Sequence, residues 1–373
     1  MGTPEETGPV KPGRPTGDKH SSPASFARQW WAELITVHPH EAQHWGALQV
    51  GICVTLPLAG LLAIGRPDLA AYAVFGSLSS VYGSRFGRHD RMRAQLGTGA
   101  ALTLAVVLGT VVGIPGPGSP WAIAAMAVMS VLGLLITRRF GWLPVPSLFL
   151  VLATGTISAA SHTWGDVPVA FGIAASAALF GALMGQLSLA LRRGIIVQPA
   201  PSTMPLSQVL RSPGIGAELT YYFAGPSIAW VAASLVGYGH PYWAVVSATV
   251  PLSGRTLAAQ LARATLRFIG TAVGIAIAYL VLVANPPIWA LVAAVAVFQF
   301  MTELFVTRNY GIAAVFITPL ALILGQIVAP LPPAVLVVDR LVQTTIGVAI
   351  AVIVLLAVDR ASGLRLRASP AEN

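Results

Sequence analysis

Charged residues are scarce in this sequence. Asp, Glu, Lys and Arg make up 9% of the 373 residues, and hydrophobic residues make up 55%. Soluble domains carry about a quarter charged residues, so a soluble fold of this length would lack the polar surface that it needs. The mean hydropathy is +0.74, and the apolar side chains therefore require lipid around them.

Cysteine and the common motifs of soluble enzymes are also nearly absent. The single cysteine, Cys53, lies in an apolar stretch, which excludes an intrachain disulfide and a cysteine-based zinc site. The chain has no Walker-type Gly-rich loop, no His-Glu-x-x-His motif and no Gly-x-Ser-x-Gly elbow. We therefore predict no enzymatic activity, no metal and no cofactor. The net charge of +9 comes from arginines in short loops, so nucleic acid is not expected as a partner.

Apolar segments alternate with short polar loops along most of the chain. Most of these segments have the roughly 17–25 residues that a helix needs to cross a bilayer. Two of them, 69–84 and 240–254, are short and carry glycine or proline, as broken helices that line a cavity do. The twelve segments are 45–64, 69–84, 94–114, 121–137, 143–161, 168–190, 217–236, 240–254, 264–284, 287–306, 310–329 and 337–358.

The basic residues predict the orientation in the membrane. Of the 22 Lys and Arg residues, all except Arg66 and Arg340 fall in the leader, the tail or alternate loops. By the positive-inside rule, both termini are cytoplasmic and the number of spans is even. Asp339 and Arg340 are then expected as outer-face charges that pair locally, as are Arg66 and Asp68. The Ala-, Gly- and Arg-rich, Lys-poor composition is typical of a high-GC bacterium.

The two halves of the sequence align with each other. A shift of 170 residues brings them into register without a gap from 72 to 141. Random placement predicts about 0.3 arginine coincidences in this window, whereas three occur. The pattern predicts two parallel six-helix repeats, with a ligand path where they meet. The coincident pairs include Tyr72–Tyr242, Ser77–Ser247, Arg85–Arg255, Arg93–Arg263, Arg138–Arg308 and Gly141–Gly311.

The predicted fold is thus an all-α polytopic membrane protein with about twelve transmembrane helices. The leader is expected to be disordered at its start. Near 25–37 it holds either a helix at the cytoplasmic interface or a simple lead-in to the first span. The predicted parts are a cytoplasmic leader (1–44), a first membrane repeat (45–190), a cytoplasmic linker (191–216), a second membrane repeat (217–358) and a cytoplasmic tail (359–373).

One stretch of the second half resembles a known family. This stretch, residues 239–244, reads GHPYWA, and after it come Arg255, Arg263, Arg267 and Gly270-Thr271. The pattern resembles the signature of the fusaric-acid-resistance-like family, which includes aromatic acid exporters. The resemblance implies an inner-membrane protein that exports aromatic carboxylic acids with the proton gradient as driving force. The larger exporters carry sizeable cytosolic domains, whereas this chain has only its linker and tail. The first half carries a weaker copy in 72–76, Arg85 and Arg93.

Four arginines of the repeat are candidates for binding the substrate. Arg85, Arg93, Arg255 and Arg263 are expected at the cytoplasmic mouth, where a guanidinium group can bind a carboxylate through two hydrogen bonds. The alternative is that they anchor the protein to lipid phosphates.

Three aromatic residues and two titratable ones complete the candidate site. Tyr72, Tyr242 and Trp243 could stack on an aromatic substrate, or form the aromatic belt at the lipid interface. Glu303 could couple proton entry to substrate exit, or pair with a basic loop residue such as Arg308. His240 could respond to the external proton concentration, or be an ordinary exposed histidine.

Three functions remain open from the sequence. The leading one is a secondary exporter of small organic anions, aromatic carboxylates above all. A passive anion channel would use the same arginines without a protonatable site. A membrane scaffold would depend on the leader and the basic loops instead. A homodimer in the bilayer is compatible with so little soluble mass, and no motif decides the oligomeric state.

Overall fold

The structure is a computed structural model that describes residues 23–38, 44–191, 197–237, 239–254 and 256–362. The start of the leader and the end of the tail lie outside the described residues. In the described ranges the regular elements are all helices. They are α1 (Pro23–Ile35), α2 (His44–Ala63), α3 (Ala70–Ser77), α4 (Arg88–Gly113), α5 (Trp121–Phe140), α6 (Ser147–Ser158), α7 (Asp166–Leu191), α8 (Leu206–Val209), α9 (Ile215–Val236), α10 (Tyr242–Thr249), α11 (Leu257–Val283), α12 (Ile288–Phe305), α13 (Tyr310–Val328) and α14 (Pro333–Ser362).

Nine of the described helices are long and apolar enough to cross a membrane. Their outward surfaces are apolar: Leu280 and Ile353, for example, are 72% and 61% exposed, which suits contact with lipid. The predicted class, a multi-pass helical membrane protein, is confirmed. The count of twelve spans stays a prediction, because 69–84, 143–161 and 240–254 form shorter elements. The nine helices are α2, α4, α5, α7, α9, α11, α12, α13 and α14.

The two short segments form broken helices. α3 and α10 have eight residues each, about 12 Å of helix, which is less than half the thickness of a hydrocarbon core. A 3-10 turn follows each of them, Leu78–Val81 after α3 and Val250–Ser253 after α10. Pro251 near the start of the second turn has no N–H to continue the α-helical hydrogen bonds. Neither helix is therefore long enough by itself to cross a membrane.

The helices of residues 44–191 and those of residues 215–362 pack in the same order. In the first set α4 packs on α6 and α7, and α3 packs on α7. In the second set α11 packs on α13 and α14, and α10 packs on α14. The sets are joined where α2 packs on α12 and α5 packs on α9. The first helix of each set therefore lies against the other set.

α1 packs across one end of the second set, against α11. The Asn309 side-chain amide donates hydrogen bonds to the carbonyl oxygens of Leu34 and Thr36, each at 3.1 Å. On the other side of the helix Trp31 and Ile35 are 57% and 70% exposed. A helix that binds the bundle with one side and exposes an apolar side fits the predicted interfacial position.

Gly76 allows α3 to contact α7 closely. A Cβ atom at Gly76 would lie 2.2 Å from the backbone oxygen of Ala174, which cannot easily move away. Gly172, also on α7, has open space around its Cβ position. We expect Gly76→Ala to lower the free energy of unfolding by about 1–3 kcal/mol through overpacking, whereas Gly172→Ala should leave it unchanged or raise it slightly. Thermal unfolding of both variants in detergent measures the difference, and equal melting temperatures would contradict this packing.

Candidate functional site

A cavity of about 2570 Å³ lies between the two sets of helices. Its walls come from α1, from α2, α3, α6 and α7 of the first set and from α10 to α14 of the second. Near one end of the bundle the lining includes Asp68 and His162, and near the other it includes Arg85 and His38. We call these the Asp68 end and the Arg85 end. The cavity therefore extends along most of the length of the bundle.

The three predicted aromatic residues lie in the cavity wall. Tyr72, Tyr242 and Trp243 are all buried and all line the cavity. They lie in the first turns of α3 and α10, so the broken helices bring them inward from the Asp68 end. The Tyr72 hydroxyl lies 3.3 Å from His162 Nδ1, and the rings of Tyr242 and Trp243 are 4.8 Å apart. These positions differ from those of an aromatic belt at the lipid surface.

The four predicted arginines do not form one cluster. Arg85 and Arg263 line the cavity. Arg93 is exposed outside the lining, with its guanidinium carbon 5.6 Å from the ring centroid of Phe140. Arg255 lies outside the described residues.

Arg267, which belongs to the family signature but was not among the predicted substrate-binding residues, is buried. Because α11 begins at Leu257, Arg267 lies about 15 Å along the helix from its first residue. It is 1% exposed and lines the cavity. Its Nε and Nη2 atoms each lie 3.4 Å from Ser247 Oγ, and its Nη1 atom lies 3.5 Å from the Tyr310 hydroxyl oxygen. All of these contacts are long and their acceptors are neutral, so none of them compensates the charge.

Arg340 is a second buried arginine in the cavity wall. The prediction that Asp339 and Arg340 are outer-face charges is wrong, because they are 2% and 1% exposed. α14 begins at Pro333, so both residues lie inside the helix, about 10 Å from its start. The Arg340 guanidinium carbon lies 3.6 Å from the ring centroid of Trp243, a cation–π contact.

His240 is bonded to Asp339. Its Nδ1 atom forms a hydrogen bond with Asp339 Oδ2, which joins the turn before α10 to α14. The His240 side chain is 25% exposed and lines the cavity, so it differs from an ordinary exposed loop histidine. The expected partner of Asp339 was the adjacent Arg340. The carboxylate instead binds a residue 99 positions away in the chain.

Glu303 lies in the cavity wall, in the last turn of α12. It is half-buried and accepts a hydrogen bond of 3.0 Å from the side-chain amide of Gln299. Arg308, the basic partner considered from the sequence, donates instead from its Nε atom to the carbonyl oxygen of His38. The Glu303 carboxyl group is thus placed where it can exchange a proton with the cavity.

Comparison with known proteins finds a family match in the second half of the chain. Residues 228–354 match the family described as Fusaric acid resistance protein-like. The predicted family resemblance is confirmed. The matched region contains the GHPYWA stretch and also Arg267, Glu303 and Arg340. The weaker copy of the fusaric-acid-resistance-like signature in the first half lies outside it.

One curated protein gives a more limited similarity. A stretch of 90 residues, 24% of this chain, is 31% identical to the uncharacterized membrane protein YvaC of Bacillus subtilis (strain 168). That stretch covers 14% of the relative, so the alignment spans only a small part of YvaC. No solved structure matches the chain.

Proposed function

We propose that this protein exports small organic anions, aromatic carboxylates above all, across the bacterial cytoplasmic membrane. The observation that carries the proposal is the cavity, whose wall contains the buried residues Arg267 and Arg340 together with Tyr72, Tyr242 and Trp243. Charged side chains inside a membrane are costly and mark substrate or ion paths. Guanidinium groups recognise carboxylates, and aromatic walls suit an aromatic ring. The fusaric-acid-resistance-like match of the same region supports this assignment.

We further propose that the chain crosses the membrane twelve times as two parallel six-helix repeats, with both termini cytoplasmic. The common packing order of the two sets of helices and the loop positions of the arginines support this arrangement. In this orientation the Arg85 end is cytoplasmic and the Asp68 end faces outward. A leaving anion would pass Arg85 and Arg263 first, and would then reach Arg267 and Arg340.

Glu303 is the group that we propose for coupling export to the proton gradient. The acidic residues of the described lining are Glu33, Asp68 and Glu303, and of these Glu303 alone belongs to a helix that is long enough to span. A carboxyl group within a membrane-spanning helix is a functional-site hypothesis by default. A scaffold, by contrast, needs neither a cavity along the bundle nor buried charges in its wall.

Growth of an efflux-deficient bacterium tests the proposed function. Cells with and without the gene are compared on a panel of aromatic carboxylic acids and on the corresponding neutral amides. We expect protection against some of the acids and none against their amides, because the buried guanidinium groups require an anion. Absence of protection against every acid, with the protein well inserted in the membrane, would contradict export of these anions.

A further inference from the structure

The guanidinium group of Arg340 has unused hydrogen-bonding capacity inside the bundle. Its Nε and Nη1 atoms have no hydrogen-bond partner among the described residues, although the side chain is 1% exposed. Trp243 covers one face of the group and offers no acceptor atom, because an indole ring only donates. Leaving buried donors unpaired costs about 1–3 kcal/mol, and more when the group is charged. The Nε and Nη1 donors of Arg340 therefore remain available for an acceptor.

The surrounding charges do not neutralise this region. Arg267 lies close enough for its charge to act on Arg340, and both line the same cavity. The nearest described carboxylate, Asp339, is bonded to His240 through one oxygen, and its other oxygen has no partner in the described part of the chain. Two arginines and one aspartate give a net charge of +1 when His240 is neutral, and +2 when it is protonated. One carboxylate group would bring the site to zero or +1.

Further polar atoms without partners lie beside Arg340. Gln343 and Thr344 follow it on α14 at the spacings that place residues on one helix face. Both are 0% exposed, and the Gln343 amide nitrogen and oxygen and the Thr344 hydroxyl lack partners within the described ranges. On the same side, the Cβ position of Gly347 lies 2.8 Å from Ser247 Cβ, so this face of α14 packs on α10 next to Arg267. Gln343 and Thr344 are thus buried on the α14 face that carries Arg340, although they do not themselves line the cavity.

We propose that Arg340 binds the carboxylate of a small organic monoanion, with Arg267 as the second cation of the site and Trp243 as the residue that positions the Arg340 guanidinium group. The inference rests on the proposed function and specifies its binding site. It places that site about 10 Å inside α14 from the Asp68 end, and not at the arginines of the Arg85 end. It also changes the role of Trp243, whose ring face is covered by Arg340 and is therefore not open for stacking on a substrate.

Binding of benzoate and benzamide to the purified full-length protein in detergent tests this site. The two probes share a ring, and only benzoate carries the charge. The wild-type protein should prefer benzoate, and Arg340→Gln should reduce this preference by about 10- to 100-fold, the range expected when a charged hydrogen bond is lost. Arg93→Gln is the matched control, because Arg93 is exposed outside the cavity. It should keep the full preference.

Two further variants test the positioning role and guard against misfolding. Trp243→Leu removes the ring that holds the guanidinium group and should lower benzoate affinity, whereas Trp243→Phe keeps a ring and should restore most of it. Arg340→Lys keeps the charge but not the planar donor group, so it should retain only part of the preference. If Arg340→Gln does not fold, the benzoate preference of Arg340→Lys and Trp243→Leu tests whether Arg340 binds the carboxylate.

Different results would overturn this inference and the proposed function. If benzoate is transported but Arg340→Gln keeps the preference for benzoate while Arg263→Gln removes it, the site lies at the Arg85 end and the inference is overturned. Equal affinity of the wild-type protein for benzoate and benzamide overturns it as well. If no anion of the panel is bound or transported, the proposed function itself is wrong.

Discussion

Glu303→Gln is expected to abolish proton-driven anion accumulation while anion exchange continues. A glutamine keeps the size of the side chain and can still accept the hydrogen bond from Gln299, but it cannot take up or release a proton. One pH unit corresponds to about 1.4 kcal/mol, so the exchange of one proton for one anion, with the membrane potential held at zero, would let the wild-type protein reach about a tenfold accumulation of the anion. The variant should reach a ratio no higher than about 1 under the same gradient, because exchange of one anion for another moves anions without net work.

The measurement uses purified protein in liposomes with an imposed pH gradient. Labelled benzoate is followed at pH 7 inside and pH 8 outside, so that protons leaving the liposome drive the anion inward, against the passive distribution of benzoic acid toward the alkaline side. The exchange rate without a gradient is measured in parallel. Asp68→Asn is the control, because Asp68 also lines the cavity but lies outside the spans. The Arg66 guanidinium, bonded to Asp68 at 2.8 Å, holds the pKa of this carboxyl below its usual range, so it stays ionised and carries no proton near neutral pH.

This experiment also separates the exporter from a passive channel. A channel needs no protonatable group, so Glu303→Gln would leave its flux unchanged and neither protein would accumulate the anion. Accumulation that persists in Glu303→Gln and disappears in Asp68→Asn would show that the coupling group was assigned wrongly.

Arg267→Met is expected to reduce benzoate transport by at least about 30-fold, since loss of one partner of a buried charge pair costs about 2 kcal/mol or more. Arg267 lies about mid-depth in the bundle, and its described partners, Ser247 and Tyr310, are neutral and already at 3.4–3.5 Å. A methionine fills a similar volume without the charge, so the anion would have to pass this depth beside Arg340 alone. The rate of benzoate transport in liposomes, at equal protein incorporation, measures the effect.

The control for this variant is Arg93→Met, which removes the same charge from an exposed position. It should transport benzoate at the wild-type rate. An equal loss of benzoate transport in both variants would mean that transport depends on the overall basic charge of the protein. Arg267 would then not be a specific contact of the transported anion.

The sequence predicted the helices but misplaced several charged residues, for one physical reason. A hydropathy segment ends at a charge, whereas a helix continues as long as its backbone hydrogen bonds can form. α4 begins at Arg88, six residues before the predicted segment 94–114, and Arg91 is therefore buried, donating a hydrogen bond to Gln49. α11 begins seven residues before its segment, and α14 begins four residues before its segment. Arg267 and Arg340 fall inside the predicted segments 264–284 and 337–358, but the longer helices place them about 15 Å and 10 Å from the helix starts, where both are buried.

The pairings across the cavity could not be predicted from local patterns. His240 and Asp339 are 99 residues apart, and Tyr72 and His162 are 90 residues apart. A spacing rule cannot find such pairs, because they depend on how α10 meets α14 and how α3 faces the loop before α7. The broken helices, by contrast, could be predicted from the sequence, because glycine and proline in 69–84 and 240–254 weaken a continuous helix. It also contained the aromatic residues Tyr72, Tyr242 and Trp243, all of which lie in the cavity wall.

The most direct test of the central claim, that the cavity carries organic anions across the membrane, is the flux of labelled benzoate through the purified wild-type protein in liposomes. It is measured at pH 8, where almost all of the benzoate is ionised, and protein-free liposomes give the background. The account predicts a saturable flux above this background that unlabelled benzoate inhibits and benzamide does not. A flux equal to that of protein-free liposomes, for benzoate and for every other aromatic carboxylate of the panel, would contradict it.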